Sequence, residues 1–233
     1  MRFGGLQKLT LIDFPGKMAA TVFTIGCNFR CQFCYNPELV LANKINKDKI
    51  ISEEEILRFL EKRKPFLEGV CITGGEPTMH SDLPDFIKKL KNMGYLVKLD
   101  TNGTNPQMLS RLIKEKLLDY VAMDIKSALG KYSLVTKTKV DISQIKKSIR
   151  ILKRGLVSYE FRTTLMPALF AKEDFEQIGK ALAGAKKYYL QNFRKEKSLV
   201  NKNFDSKKFS RKEIEDIKNS IKKYFDLCEI RNA

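Results

Sequence analysis

Short apolar runs and longer segments with helical spacing take turns along the chain. Residues 20–25 form the first apolar run and read as a strand. Ser52 with Glu55 three positions on is a capping-box pattern, and the Ile56, Phe59 and Leu60 that follow share one face of a helix. Residues 69–73 read as a buried strand that ends at Gly74-Gly75. Over residues 82–93, Phe86, Ile87, Leu90 and Met93 fall on one helical face, and Gly94 is placed to end it. Residues 95–99 give a strand with Asp100-Thr-Asn-Gly103 as its turn. Pro106 opens a helix with Met108, Leu109, Leu112 and Ile113 inward. A strand over 120–125 precedes a helix that carries Ile142, Ile145, Ile149 and Leu152 and closes at Gly155. Residues 158–165, 173–184 and 187–191 give a strand, a helix and a sixth strand.

Six strand–helix units, with polar or glycine-rich residues at the strands' C-terminal ends, predict an α/β fold with a parallel sheet. Eight units would need more chain than 233 residues supply. The expectation is a partial, laterally open (β/α)6 barrel over residues 1–195, with a basic helical C-terminal extension over residues 196–233. No repeat of fixed period and no low-complexity linker interrupts it.

Composition narrows the class. A chain that is 43% hydrophobic and 30% charged is globular rather than disordered. Its longest uncharged stretch runs from Met18 to Phe29, short of the roughly 20 apolar residues of a membrane-spanning helix. The first residues lack the apolar run of a secretory peptide, so the expected location is cytoplasmic and no membrane partner is expected. The net charge of +17 fits an acidic partner, a nucleic acid or a lysine-rich solvated exterior. No aromatic-interleaved motif accompanies it, which favours the solvated exterior over nucleic acid.

Five cysteines, an odd number without an export signal, argue against a disulfide framework. Cys27, Cys31 and Cys34 crowd into one short segment directly after the first strand. Soft thiolates at this spacing suit zinc or an iron–sulfur cluster. A structural zinc site closes with four ligands, usually in two pairs, and the other candidates, Cys71 and the single His80, stand in no paired spacing. Three thiolates on a cubane cluster leave one iron open, and an amino acid can chelate it through amine and carboxylate together.

The C-x3-C-x2-C segment, followed after the second strand by Gly74-Gly75-Glu76-Pro77, resembles the radical S-adenosylmethionine (SAM) superfamily. The finer match is to activating proteins of glycyl radical enzymes, most similar to those of anaerobic ribonucleoside-triphosphate reductase. Ile12-Asp-Phe-Pro-Gly-Lys17, Val22-Phe-Thr-Ile-Gly-Cys-Asn-Phe-Arg-Cys31 and Cys34-Tyr-Asn-Pro-Glu38 carry it. The resemblance spans roughly residues 5–195. It implies that Cys27, Cys31 and Cys34 ligate a [4Fe-4S] cluster. It further implies that Phe33 and Tyr35 meet the adenine, and that Gly74, Gly75 and Glu76 meet the methionine end of SAM. Asp100 with Asn102, and Asp124 with Lys126, occupy two consecutive strand ends that contact SAM in the family and help form a monovalent cation site. Two such carboxylates need Lys126 or a cation as a partner. Arg162 matches an arginine near the SAM carboxylate.

Two departures stand out: Tyr35 replaces a histidine common among relatives, and Gln191 is only a loose match to a SAM contact. Cys71 reads as packing and Cys228 as a tail residue without a role.

The implied chemistry is one-electron cleavage of SAM, with flavodoxin or ferredoxin as electron donor. It gives a 5′-deoxyadenosyl radical that takes hydrogen from a glycine of a partner enzyme. One alternative keeps the cofactors and acts on a small molecule, as 7-carboxy-7-deazaguanine synthase does. Another is a zinc-stabilised basic module that binds nucleic acid.

Overall fold

Alternation along the strands builds the architecture. In a computed structural model, which describes residues 1–194, 199–201, 203–204 and 207–231, nine strands form one sheet. They are β1 (Arg2–Thr10), β2 (Ala19–Thr24), β3 (Ile51–Ser52), β4 (Gly69–Gly74), β5 (Leu96–Thr101), β6 (Tyr120–Asp124), β7 (Ser158–Leu165), β8 (Ala185–Asn192) and β9 (Phe225–Arg231). Their spatial order is β3-β1-β2-β4-β5-β6-β7-β8-β9. β1 runs antiparallel to β2 and β3, and every neighbouring pair from β2 through β9 is parallel. The helices are α1 (Pro37–Val40), α2 (Glu53–Arg63), α3 (Leu83–Asn92), α4 (Pro106–Lys114), α5 (Tyr132–Thr136), α6 (Ile142–Lys153), α7 (Lys172–Leu182) and α8 (Arg211–Ile221).

One face of the sheet is apolar and carries the helices. Val97, Leu99, Val121, Met123, Phe161, Leu165 and Leu190 are buried there in one core with Ile56, Phe86, Leu112, Ile149 and Ile178 from the helices. The alternate positions, among them Lys98, Asp100, Tyr120, Asp124, Glu160 and Arg162, are polar. Their side chains reach one another across strands: Arg162 on β7 pairs with Asp100 on β5, and Arg231 on β9 pairs with Glu160 on β7. Contacts that skip a strand mean that this face is concave. The linear order leaves β3 and β9 at opposite ends of the sheet, so the barrel stays open at the side.

The expected capping box forms, with Ser52 Oγ accepting from Glu55 N–H at 3.2 Å and Glu55 Oε2 accepting from Ser52 N–H at 2.8 Å. The six expected parallel strands are present as β2, β4, β5, β6, β7 and β8. Two long strands go beyond that expectation. β1 forms a hairpin with β2, in a stretch whose Gly4-Gly5 and Lys8 weaken the strand signal. β9 lies in the segment expected to be helical, which supplies α8 and then a seventh parallel strand. Ile214 and Ile221 of α8 are buried, and the Phe225 ring stacks on Tyr188 at 4.7 Å. The expected boundary between residues 195 and 196 falls outside the described residues.

The base of the barrel is plugged. In the Ile12–Lys17 segment, Phe14 is buried against Gly69 and 6.3 Å from the Tyr120 ring, while Asp13 Oδ2 accepts from Thr21 Oγ1 at 2.6 Å. Among the described residues, no helix is long and apolar enough to cross a membrane.

Candidate active site

The cavity that matters opens at the other end, where the parallel strands finish, as in other parallel barrels. Its volume is about 300 Å³. Cys27, Cys31, Cys34, Phe33, Tyr35, Gly74, Gly75, Glu76, Asp100, Asn102, Asp124, Lys126 and Arg162 all line it, with Gln191. The sequence reading missed Phe29, Asn36, Val40, Thr73, Thr101 and Thr164, which complete the wall.

The cysteine segment is held in shape from three sides. Backbone ties come first: Gly75 N–H donates to Thr24 O at 2.9 Å and Glu76 N–H to Gly26 O at 2.8 Å. This close approach is why glycines stand at 74 and 75. A Cβ on Gly75 would lie 1.8 Å from Gly26 O, and Gly74 has φ +113°. Next, Asn102 Nδ2 donates to Asn28 Oδ1 at 2.8 Å, and Asn28 Nδ2 donates to Thr104 Oγ1 at 2.9 Å. The third side is the stretch that follows β8. Val200 N–H donates to Cys34 O and Asn201 N–H to Gln32 O, both at 3.1 Å. Tyr35 adds its ring, stacked 5.6 Å from Phe193, and its hydroxyl, which accepts from Arg194 N–H at 2.9 Å.

Glu76 is buried and busy. Its Oε1 accepts from Thr78 N–H and from the hydroxyls of Thr78 and Thr101, and its Oε2 accepts from Asn102 N–H at 2.6 Å. Burial nevertheless raises its pKa. The carboxylate thus braces the ends of β4 and β5 against each other while one oxygen keeps acceptor capacity.

Below the cysteines lies an ion cluster. Arg162 bridges Asp124, at 2.9 Å from Nε, and Asp100, at 3.3 Å from Nη2. Lys126 Nζ lies 3.0 Å from the other Asp124 oxygen, and Lys98 Nζ bonds the other Asp100 oxygen. Burial works against both carboxylates, but Arg162 with Lys98 holds Asp100, and Arg162 with Lys126 holds Asp124, below the usual range. All four carboxylate oxygens face a side-chain cation, which leaves none bare for the monovalent cation that the resemblance implies. Lys98 was missed because its strand reads as apolar. The available signal was a charged residue in phase with Asp100, two positions on.

The radical SAM superfamily profile matches residues 21–183. The chain belongs to the radical SAM superfamily. A candidate glycyl-radical enzyme activating enzyme of Methanocaldococcus jannaschii is 34% identical over 97% of this chain and 94% of its own length. The pyruvate formate-lyase-activating enzyme of Clostridium pasteurianum is 31% identical over 54% of this chain and 52% of its own length. Streptococcus suis SuiB bound to S-adenosylmethionine superposes with a TM-score of 0.65 at 13% identity, over 90% of this chain and 51% of SuiB. The chain thus spans about half the length of the last two.

Radical SAM enzymes use a [4Fe-4S] cluster and SAM, and the donor set here fits that pair. Burial pushes the thiol of Cys27 up to about 11 and that of Cys31 up to about 12, and it raises Cys34 as well. Such thiols are poor free nucleophiles and become thiolates when a metal replaces the proton. Phe29 N–H already donates to Cys27 Sγ at 3.3 Å, a bond that favours charge on sulfur. Among the described residues, neither remaining candidate from the sequence stands as a fourth ligand. His80 lines a separate cavity with Met1 and Asp82, and Cys71 is fully buried in β4 with its sulfur 3.7 Å from Lys98 Nζ.

Proposed function

We propose that this radical SAM enzyme activates a glycyl radical enzyme, and that the partner is an anaerobic ribonucleotide reductase. The observation that carries the reading is that three cysteines, Gly74-Gly75-Glu76 and both rim aspartates converge on one small cavity beside an open barrel side. Cys27, Cys31 and Cys34 would hold the cluster, with SAM bound in the same cavity. With electrons from flavodoxin or ferredoxin in the cytoplasm, the bound pair supplies one-electron cleavage of SAM and hydrogen abstraction from the partner's glycine.

The chain's own residues bind, orient and exclude water. Glu76 Oε2 and the carbonyls near Gly74 and Gly75 suit the methionine ammonium. Arg162 and Lys126 belong to a cluster in which three cations face two carboxylates, and this surplus suits the methionine carboxylate. The Phe33 and Tyr35 rings give the adenine an apolar seat. No proton donor is needed at the reacting carbon, and none of the cavity's lining residues is a histidine. The open side leaves room for a partner loop, which a sealed barrel would not.

The test is anaerobic reconstitution with iron, sulfide, SAM and dithionite. Expected are 5′-deoxyadenosine and, only with the partner protein present, a glycyl radical signal in electron paramagnetic resonance. Cys27→Ala, Cys31→Ala and Cys34→Ala each abolish cleavage. A loaded cluster without 5′-deoxyadenosine overturns the mechanism. Cleavage coupled to a small molecule, with no protein radical, favours the deazaguanine-synthase type of reading instead.

A further inference from the structure

Lys98 is the one member of the ion cluster that does not line the cavity. It sits on β5 between Cys71 on β4 and Tyr120 on β6, and its side chain is 1% exposed. Its ammonium bonds Asp100 and lies 3.7 Å from Cys71 Sγ. Burial alone would lower its pKa, but Asp100 outweighs that and keeps it charged. Cys71 contributes no formal charge, because burial raises its thiol pKa.

A buried ammonium is expensive, and an apolar side chain of similar length would fill the same space at no such cost. What the charge does is local. Asp100 and Asp124 share Arg162, so Asp100 has Arg162 on one oxygen and needs a cation on the other. With Lys98 present, Arg162 is free to bridge both carboxylates and turn its remaining donors toward the cavity. Without it, two neighbouring buried carboxylates would compete for one guanidinium and one ammonium.

We propose that Lys98 is a tethered resident cation. Its ammonium occupies, between Asp100 and Cys71, the position that a small monovalent cation would otherwise take, and so it makes the site indifferent to the alkali ions of the medium. Tethering removes the dependence on ion concentration that a dissociable cation imposes. Lys98 is therefore a positioning residue that acts through Asp100 and Arg162, not a group that touches the ligand. Only the SAM arm of the test below rests on the proposed function.

The full chain is melted in potassium, ammonium or choline chloride at equal ionic strength, and SAM binding to the reconstituted protein is measured by equilibrium dialysis in the same salts. Wild type is expected to behave alike in all three. Lys98→Ala is expected to melt lower in choline and to regain at least half of the lost Tm in potassium or ammonium, which fit the vacated space as choline does not. Its SAM affinity falls about tenfold in choline and recovers with the small cations, as expected when a charged hydrogen-bond partner is lost and then restored. Lys98→Met fills the space without charge, so its SAM affinity stays low in every salt.

A wild-type melt or SAM affinity that differs between potassium and choline overturns the proposal, since an outside cation is then bound despite Lys98. So does a Lys98→Ala variant that no salt distinguishes, or a Lys98→Met variant that binds SAM like wild type. Should Lys98→Ala fail to fold in any salt, the Lys98→Met affinity decides. A salt-specific melt with no SAM binding at all leaves the tethered cation standing and removes the functional reading.

Discussion

Two ion clusters share the concave face of this barrel, one above the other, and they differ in charge balance and in what they hold. The upper one sets Lys98, Lys126 and Arg162 against Asp100 and Asp124 and opens onto the cavity. In the lower one Arg231 grips Glu160 with both terminal nitrogens, at 2.6 and 2.8 Å, while Tyr120 donates to the same carboxylate at 2.8 Å. There one cation meets one anion, and the Arg231 guanidinium also lies 3.4 Å from the centre of the Tyr189 ring. The lower cluster is complete in itself and ties β9 to β7 across β8. The upper cluster carries a surplus positive charge, and that surplus faces the space where a ligand's anionic group can sit. A protein can thus bury similar residues twice, once as a fastener and once as part of a binding floor.

The sharpest way to break the comparison is Arg162→Ala. Removing the bridging guanidinium leaves two adjacent carboxylates, and stability in urea denaturation falls by about 4 kcal/mol. SAM binding disappears with it. Arg231→Ala costs about 3 kcal/mol, because Glu160 is left buried with Tyr120 alone, yet SAM affinity at constant folded fraction is unchanged. Adding Glu160→Gln to Arg231→Ala recovers part of that loss, whereas a ligand-binding role for the lower cluster would show as weakened SAM binding in both.

The pH dependence separates the clusters further. The folded-state pKa values of Asp100 and Asp124 are depressed. Their contribution is therefore fully present above the ordinary carboxylate pKa of about 3.9, and it is lost as pH falls through the folded values. Stability measured from neutral pH downward is expected to hold until about pH 4 and then drop, with a shallower drop in Asp124→Asn. Glu76 acts in the opposite sense. Its raised pKa means that the folded chain takes up this proton more readily than the unfolded one, so this group by itself adds stability as pH falls through its raised value. The smallest effect is that of Cys71→Ala, which removes a fully buried sulfur beside Lys98 for about 1 kcal/mol and leaves SAM cleavage intact.

Much of the upper rim is legible in the sequence because its parts are contiguous. Cys27, Cys31 and Cys34 fall within one turn-rich segment, and Gly74-Gly75-Glu76 closes one strand, so both stand out as candidates before any fold is known. The glycines have a further meaning that spacing does not carry: Gly75 is required by the carbonyl of Gly26, and Gly74 by its own backbone angle. Asn102 lines the cavity with an added task, since its amide is spent on holding Asn28. The lower cluster is not legible, because Glu160 and Arg231 lie far apart in the chain and meet only once β8 separates them. β9 escaped for a related reason. A lysine-rich tail reads as a solvated helix until Phe225 and Arg231 are seen to land on Tyr188 and Glu160.

The pairing of Val200 and Asn201 with Cys34 and Gln32 has a consequence for how the enzyme is made. Synthesis proceeds from the N-terminus, so the thiols leave the ribosome long before the segment that braces them. Until that stretch docks, the sulfur-bearing loop lacks one of its three supports. The thiol-bearing loop therefore gains its third support only after the stretch that follows β8 has been made and has folded back over it.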